Sequence, residues 1–258
     1  MKTFGIMFIV LLFAMASCQK DQDINQPIPS SLANEDTGKP SLGDSSQHLK
    51  ISSSTILNAT SASQIPSQIF DSYADYKIWY YHKKQPTTTS CSWTSYVNCI
   101  GTIVRGASAN TIQYTTPINT VQYRCTNYYP QVNTLGSNSI TALNWHVGAY
   151  DNAKINYRLK STDTRWIATR EMLAHINTYH TPFIVLSKMN STSHYRVVFA
   201  IDWKVGGTGS TVYYTDCWYS SQGNYFDNQR SMSLTSFLDL MLNPPTVKYY
   251  NMLFMWKK

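Results

Sequence analysis

Gln85-Pro-Thr-Thr-Thr-Ser-Cys91-Ser-Trp-Thr-Ser-Tyr-Val-Asn-Cys99-Ile-Gly-Thr-Ile-Val104 is the stretch that decides the fold. Residues 85–90 read as loop. From Cys91 the apolar positions Trp93, Val97, Ile100 and Val104 recur at i, i+4, i+7 and i+11, one face of a helix that starts at or beside Cys91. Ser90 is placed to cap it. A thiol at a helix N-terminus sits beside N–H groups with no intrahelical partner and the positive end of the dipole. Both favour thiolate. Gln85 lies 91 − 85 = 6 residues upstream, so its side-chain amide can fold back beside the Cys91 N–H. The two would give a pair of donors for a developing oxyanion. The alternative is a buried structural cysteine beside a surface glutamine. Cys99 falls in mid-helix and reads as a small core residue.

A thiolate nucleophile needs a base, and the chain has six histidines. His48 lies in a polar tether. His82 stands in a Tyr-rich stretch, and His146 has no evident partner. His175 and His180 lie in or just beyond a short helix capped by Thr169, with Met172, Leu173 and Ile176 as its apolar stripe. All of these read as packing or surface residues. His194 differs. Pro182-Phe-Ile-Val-Leu186 is a buried-type strand, Asn190–Ser193 a turn, and Tyr195-Arg-Val-Val-Phe-Ala-Ile-Asp202 a second strand. His194 therefore stands at a strand mouth, rigidly held and reachable. Lys204-Val-Gly-Gly-Thr-Gly-Ser210 is a turn, and Thr211-Val-Tyr-Tyr-Thr-Asp216 returns antiparallel. The hairpin brings Asp216 near His194, a few residues out of register. A carboxylate there can accept from the imidazole N–H and fix its tautomer.

Outward from this core, the chain of 258 residues divides into a leader, a tether and one domain. Met1-Lys2, an apolar run from Phe4 to Ala16 and then Ser17-Cys18 describe a secretory signal, too short for a spanning helix. Met15-Ala16-Ser17-Cys18 resembles a bacterial lipobox, which would make Cys18 a lipidated first residue after cleavage of 1–17. The expected location is extracytoplasmic, with the membrane reached through lipid alone. Gln19 to Gln68 holds no aromatic residue, and 18–67 is expected to be a disordered polar tether, a propeptide being the rival reading. Residues 68–258 form the folded domain. The 21 basic and 14 acidic residues give +7, spread with no run of bases longer than two, so nucleic acid is not expected as a partner. No metal or phosphate motif occurs, and no cofactor is expected. Four cysteines lie beyond the leader. If Cys91 stays free, Cys99, Cys125 and Cys217 can form at most one disulfide.

The order Gln85, Cys91, His194, Asp216 resembles that of the papain-like cysteine peptidases, nearest to the bacterial branch of bacteriocin leader-processing peptidases. Three blocks carry the likeness: Gln85-x5-Cys91-x-x-Thr94-Ser95; Glu171–Ile176 with Pro182–Val185 and His194–Asp202; and Val212–Asp216 with Met232–Phe237. The resemblance implies an α+β fold, with a helix carrying the cysteine packed on an antiparallel, partly barrel-like sheet carrying His194 and Asp216. It implies a peptide or protein substrate, Cys91 as nucleophile, His194 as base, Asp216 as third member and Gln85 as oxyanion donor. Ser92-Trp93, Ala200 and Cys217 depart from the family pattern, yet none removes a chemical group from the site. The spacing of 194 − 91 = 103 residues fits a compact member. Two rival functions are a cell-wall peptide amidase with the same triad and a catalytically inactive, papain-shaped binding lipoprotein.

Overall fold

The structure is a computed structural model. It describes residues 53–64, 68–71, 81–87, 89–105, 114–129, 137–162, 164–189, 192–204, 206–218, 223–224, 229–242 and 251–258. Cys18, His48 and the expected leader lie outside them. Among the described residues no helix is long and apolar enough to cross a membrane.

Helices α1 (Ser53–Asn58), α2 (Cys91–Arg105), α3 (Ile118–Tyr128), α4 (Ser137–Asp151), α5 (Arg165–Tyr179) and α6 (Leu234–Leu242) flank an antiparallel sheet. The strands of that sheet are β1 (Gln68–Asp71), β3 (Ile155–Lys160), β4 (Phe183–Met189), β5 (Thr192–Trp203), β6 (Thr211–Thr215), β8 (Gln229–Ser233) and β9 (Met252–Lys257). A separate small pair joins β2 (Tyr81–His82) and β7 (Gly223–Asn224). The α+β class is as expected. The sheet, however, is open: it runs β3-β9-β4-β5-β6-β8, with β1 taking over one edge of β5 where β4 ends. The expected barrel-like curl is therefore replaced by a sheet covered on both faces.

The covering explains the sequence pattern. Central strands buried on two faces read as continuous apolar runs, as Phe183–Leu186 does. On one face Val97 and Ile100 of α2, Val121 of α3 and Leu143 of α4 pack against Ile184, Val197, Phe199 and Leu253. On the other, Ile56 of α1, Met172 and Ile176 of α5 and Phe237 of α6 pack against Val185, Val198, Val212 and Phe254. Burying a large apolar side chain is worth about 1.5–3 kcal/mol, so the two cores dominate the fold's stability.

Three local expectations change. Residues 53–59 were expected to be disordered tether, yet Ile56 is buried completely and Ala59 nearly so, both on the α5 side. Ile56 and Ala59 anchor this short helix to the α5 side. Thr169 does not cap α5, which begins four residues earlier behind Thr164. Its Oγ1 bonds back to the Arg165 carbonyl at 2.9 Å, as a threonine inside a helix does. Finally, β9 was not expected at all, although it lies between β3 and β4. Its Met-Leu-Phe-Met-Trp run has no alternation by which to identify a strand.

Candidate active site

Helix α2 starts at Cys91, as its periodicity predicts. The Ser90 carbonyl accepts the Thr94 N–H at 2.9 Å, so Ser90 opens the helix through its backbone. Its hydroxyl turns the other way, accepting from Thr87 N at 3.1 Å and donating to Thr87 O at 2.9 Å. The side chain thus closes the loop before the helix, a local bond that competes with capping.

Gln85 is fixed at three points. Its N–H donates to the Cys217 carbonyl at 3.1 Å, and its Nε2 donates to Thr87 O at 3.0 Å. Its Oε1 accepts from the Cys217 thiol at 3.2 Å. A thiol donor at one end and a carbonyl acceptor at the other fit only this orientation of the amide. The same Cys217 sulfur lies 4.0 Å from the Cys91 carbonyl oxygen. Cys217 therefore links the glutamine to the start of α2.

Asp216 reaches His194 through the geometry of the β5–β6 hairpin. Asp202 pairs with Thr211 and Ala200 with Tyr213, a register that, continued unbroken, would set Asp216 opposite Val197 on the wrong face. A bulge between Val198 and Ala200 absorbs one residue. Beyond it Val197 pairs with Thr215, so the next position sets Asp216 opposite Arg196, on the face His194 shares. His194 Nε2 then meets Asp216 Oδ1 at 2.7 Å, both side chains being fully enclosed. The hydrogen is on Nε2, because the ionised carboxylate only accepts. The Trp218 N–H donates to the same oxygen at 3.0 Å, and the indole stands edge-on to the imidazole, 6.3 Å between centroids. Burial alone would raise the Asp216 pKa. The His194 charge and hydrogen bond, with Arg196 and the Trp218 N–H, overcome that and hold the carboxyl well below its usual range.

The described chain therefore gathers Gln85, Cys91, His194 and Asp216 around Cys217. The donor atoms of His194, Asp216 and Cys217 lie within 4.8 Å of one another. That is the spacing of a metal-ligand set, but the set fits an ion poorly. An ion would have to displace the His194–Asp216 bond, and the Arg196 guanidinium already sits against the same carboxylate. Cys91 was expected to keep a free thiol, but its sulfur is engaged in a disulfide. Cys99, Cys125 and Cys217 are free thiols. Burial pushes Cys125 up to about 12 and Cys99 well above its ordinary value. Burial, reinforced by the Asp216 charge, does the same to Cys217. None of the three is set up as a nucleophile.

The other histidines take structural roles where they are described. His146 Nε2 meets Tyr114 Oη at 3.1 Å while that hydroxyl donates to Asp151 Oδ2 at 2.8 Å, so the imidazole has a partner that sequence alone did not supply. His175 packs among Phe183, Phe254 and Tyr179, and His180 forms the left-handed cap of α5 at φ 51°. The side chain of His82 lies outside the described residues. Two site residues went unread in the sequence, Arg196 and Trp218. Arg196 carried a signal: a cation two positions from His194 shares its face, within the otherwise apolar run Tyr195–Ile201.

No family model matches the chain, and neither does any curated protein. Among solved structures, the chain is similar to one described as the crystal structure of UfSP from C. elegans, at 12% identity and a TM-score of 0.37. The match covers 69% of this chain and 33% of that one, so the chain spans about a third of that protein's length.

Proposed function

We propose that this chain is an extracytoplasmic cysteine peptidase, anchored by lipid at Cys18, that cleaves peptide bonds through Cys91, His194 and Asp216 with Gln85 as oxyanion donor. The observation that carries the reading is the buried His194–Asp216 pair, 2.7 Å apart and joined through Cys217 to both Gln85 and the start of α2. The anchor rests on Met15–Cys18 alone and takes the Cys18 sulfur as a thioether, so the anchored chain is one in which Cys91 has no disulfide with Cys18.

The chemistry is acyl transfer by the reduced form of Cys91. With Nε2–H committed to Asp216, Nδ1 is the nitrogen left to exchange a proton with the sulfur. The Cys91 thiolate attacks the scissile carbonyl carbon, and the carbonyl π pair moves to oxygen. That oxyanion takes the second Gln85 Nε2 hydrogen and the Cys91 N–H. As the C–N bond breaks, the imidazolium gives its proton to the leaving amine. A thioester remains. Water then loses a proton to the imidazole and attacks the thioester, releasing the acid and restoring Cys91. A cell-wall peptide amidase would run the same steps on a different amide.

Burial favours a second reading. Cys91 is 2% exposed, His194 1% and Asp216 0%, which suits a papain-shaped binding lipoprotein without catalysis. A thiol-directed activity probe separates the two. With reductant present, wild type should be labelled and should hydrolyse a peptide library, whereas Cys91→Ala should do neither. Ligand binding with no labelling of reduced Cys91 would leave only the inactive protein.

A further inference from the structure

Arg196 is a guanidinium buried to 2% exposure inside a sheet, and neither the hydrogen-bond ladder nor the core needs a cation there. Its Nη1 donates to Ser187 Oγ, and to Lys188 O at 3.2 Å, on the neighbouring strand β4. Its Cζ lies over the Tyr214 ring of β6, 5.6 Å from the centroid. Ser187 in turn donates to the His194 carbonyl at 3.1 Å. Nε faces Asp216 Oδ2 at 3.3 Å, while Oδ1 serves His194 and Trp218. Oδ1 is thus held by two hydrogen bonds, while Oδ2 meets the guanidinium as an ion pair without hydrogen-bond alignment.

We propose that Arg196 is a positioning residue for the Cys91–His194 pair: it orients Asp216 toward His194 and sets the pH range over which that pair is active. This rests on the peptidase reading above. A full positive charge beside Asp216 offsets part of the negative potential that the carboxylate places on His194. It also adds to the positive potential at the thiol. Both effects lower the pH at which the pair gives up each of its protons. The titratable or charged groups placed around this point are His194 on β5 itself, Asp216 and Cys217 just beyond β6, and Tyr214 on β6, with the Cys91 carbonyl at the start of α2 against Cys217. Arg230 on β8 stands opposite Tyr214 in the ladder. From β4, Arg196 meets the Ser187 hydroxyl and the Lys188 carbonyl, and the Lys188 side chain is exposed.

The test is the pH dependence of Cys91 alkylation by iodoacetamide in the reduced full-length protein. Arg196→Gln keeps donors for Ser187 and Lys188 and removes the charge, and Arg196→Met serves where the glutamine variant does not fold. Both limbs of the rate–pH profile should move to higher pH by about half a unit or more. Arg196→Lys should hold them where wild type has them. Asp216→Asn should move the profile the opposite way, and in that background Arg196→Gln should no longer reorient the imidazole. Its His194 ring resonances in NMR should match those of the single Asp216→Asn variant in line width. A folded neutral variant with the wild-type profile would overturn the inference. If wild-type Cys91 itself shows only the alkylation rate of an ordinary thiol, the peptidase reading fails first, a distinguishable result.

Discussion

His194 Nε2 and Asp216 Oδ1 stand 2.7 Å apart, with both side chains only 1% exposed. A pair so enclosed is held by its hydrogen bonds, since isolated charges would not remain ionised there. Asp216→Ala removes the carboxylate and leaves the buried Arg196 cation without its counter-charge. The loss should be about 3–5 kcal/mol in urea unfolding at pH 7. The sign with pH follows from the direction of the Asp216 shift. Its folded pKa is depressed, so its contribution is complete above the ordinary carboxylate value of ~3.9 and is lost as pH falls toward the folded value. The gap between wild type and Asp216→Ala should narrow below about 4. A gap that widens on acidification would contradict the ionised pair.

Gln85 separates thiolate formation from oxyanion binding. Its amide is turned by Thr87 and Cys217, and neither bond touches His194. Gln85→Ala should therefore leave the alkylation rate of reduced Cys91 close to wild type. Peptide hydrolysis should fall by about 10²–10³ in kcat, the usual cost of one oxyanion donor. Parallel measurement of the two rates on the same preparation checks this. Equal losses in both would assign Gln85 to shaping α2.

Part of this site was legible because its signals are local. The spacing of Trp93, Val97 and Ile100 fixes a helix whose first residue is Cys91, and an apolar strand on each side of a turn places His194. The Asp216 contact was legible only as proximity. The bulge that sets its register is a one-residue event inside Val198–Ala200, and no residue type there announces it. Arg196 could have been read from alternation, given its place two residues from His194. Strand β9 could not, since Met252–Met255 is buried throughout and its pairing with β3 and β4 is entirely non-local. The same holds for α1, where the burial of Ile56 and Ala59 against a distant part of the chain decides between order and tether.

The turn that carries β5 into β6 gives a prediction about two neighbouring glycines. Gly206 and Gly207 both take positive φ, 75° and 83°. A Cβ on Gly206 meets nothing within 4 Å, whereas one on Gly207 would come within 3.3 Å of the Trp203 ring, which is itself 1% exposed. Gly206→Ala bears only the left-handed backbone cost of about 1–2 kcal/mol. Gly207→Ala bears that cost and must also shift a packed indole. Thermal unfolding should rank Gly207→Ala clearly below Gly206→Ala. Equal midpoints would show that the tryptophan yields freely.

His175 gives the chain an acid-sensitive element away from the site. Thr181 Oγ1 donates its only hydrogen to Met255 O at 2.7 Å, so at 3.1 Å it accepts from His175 Nε2. The imidazole is therefore the neutral Nε2–H form, and its buried Nδ1 has no hydrogen-bond partner to welcome a second proton. Burial, helped by the Arg158 charge, lowers its pKa to about 3, with the Thr181 bond opposing and His180 adding a little to the fall. Here the unfolded state binds the proton more readily than the folded one. Stability should thus decline as pH falls from about 6.5 and should level off only near the folded value, a span worth about 5 kcal/mol. His175→Gln keeps a donor for Thr181 and does not titrate. It should lower stability at pH 7 but remove most of the slope between pH 6 and pH 4, leaving Asp216 to dominate at still lower pH. Urea midpoints at half-unit intervals would show this directly, and an unchanged slope in the variant would mean that other groups carry the acid sensitivity.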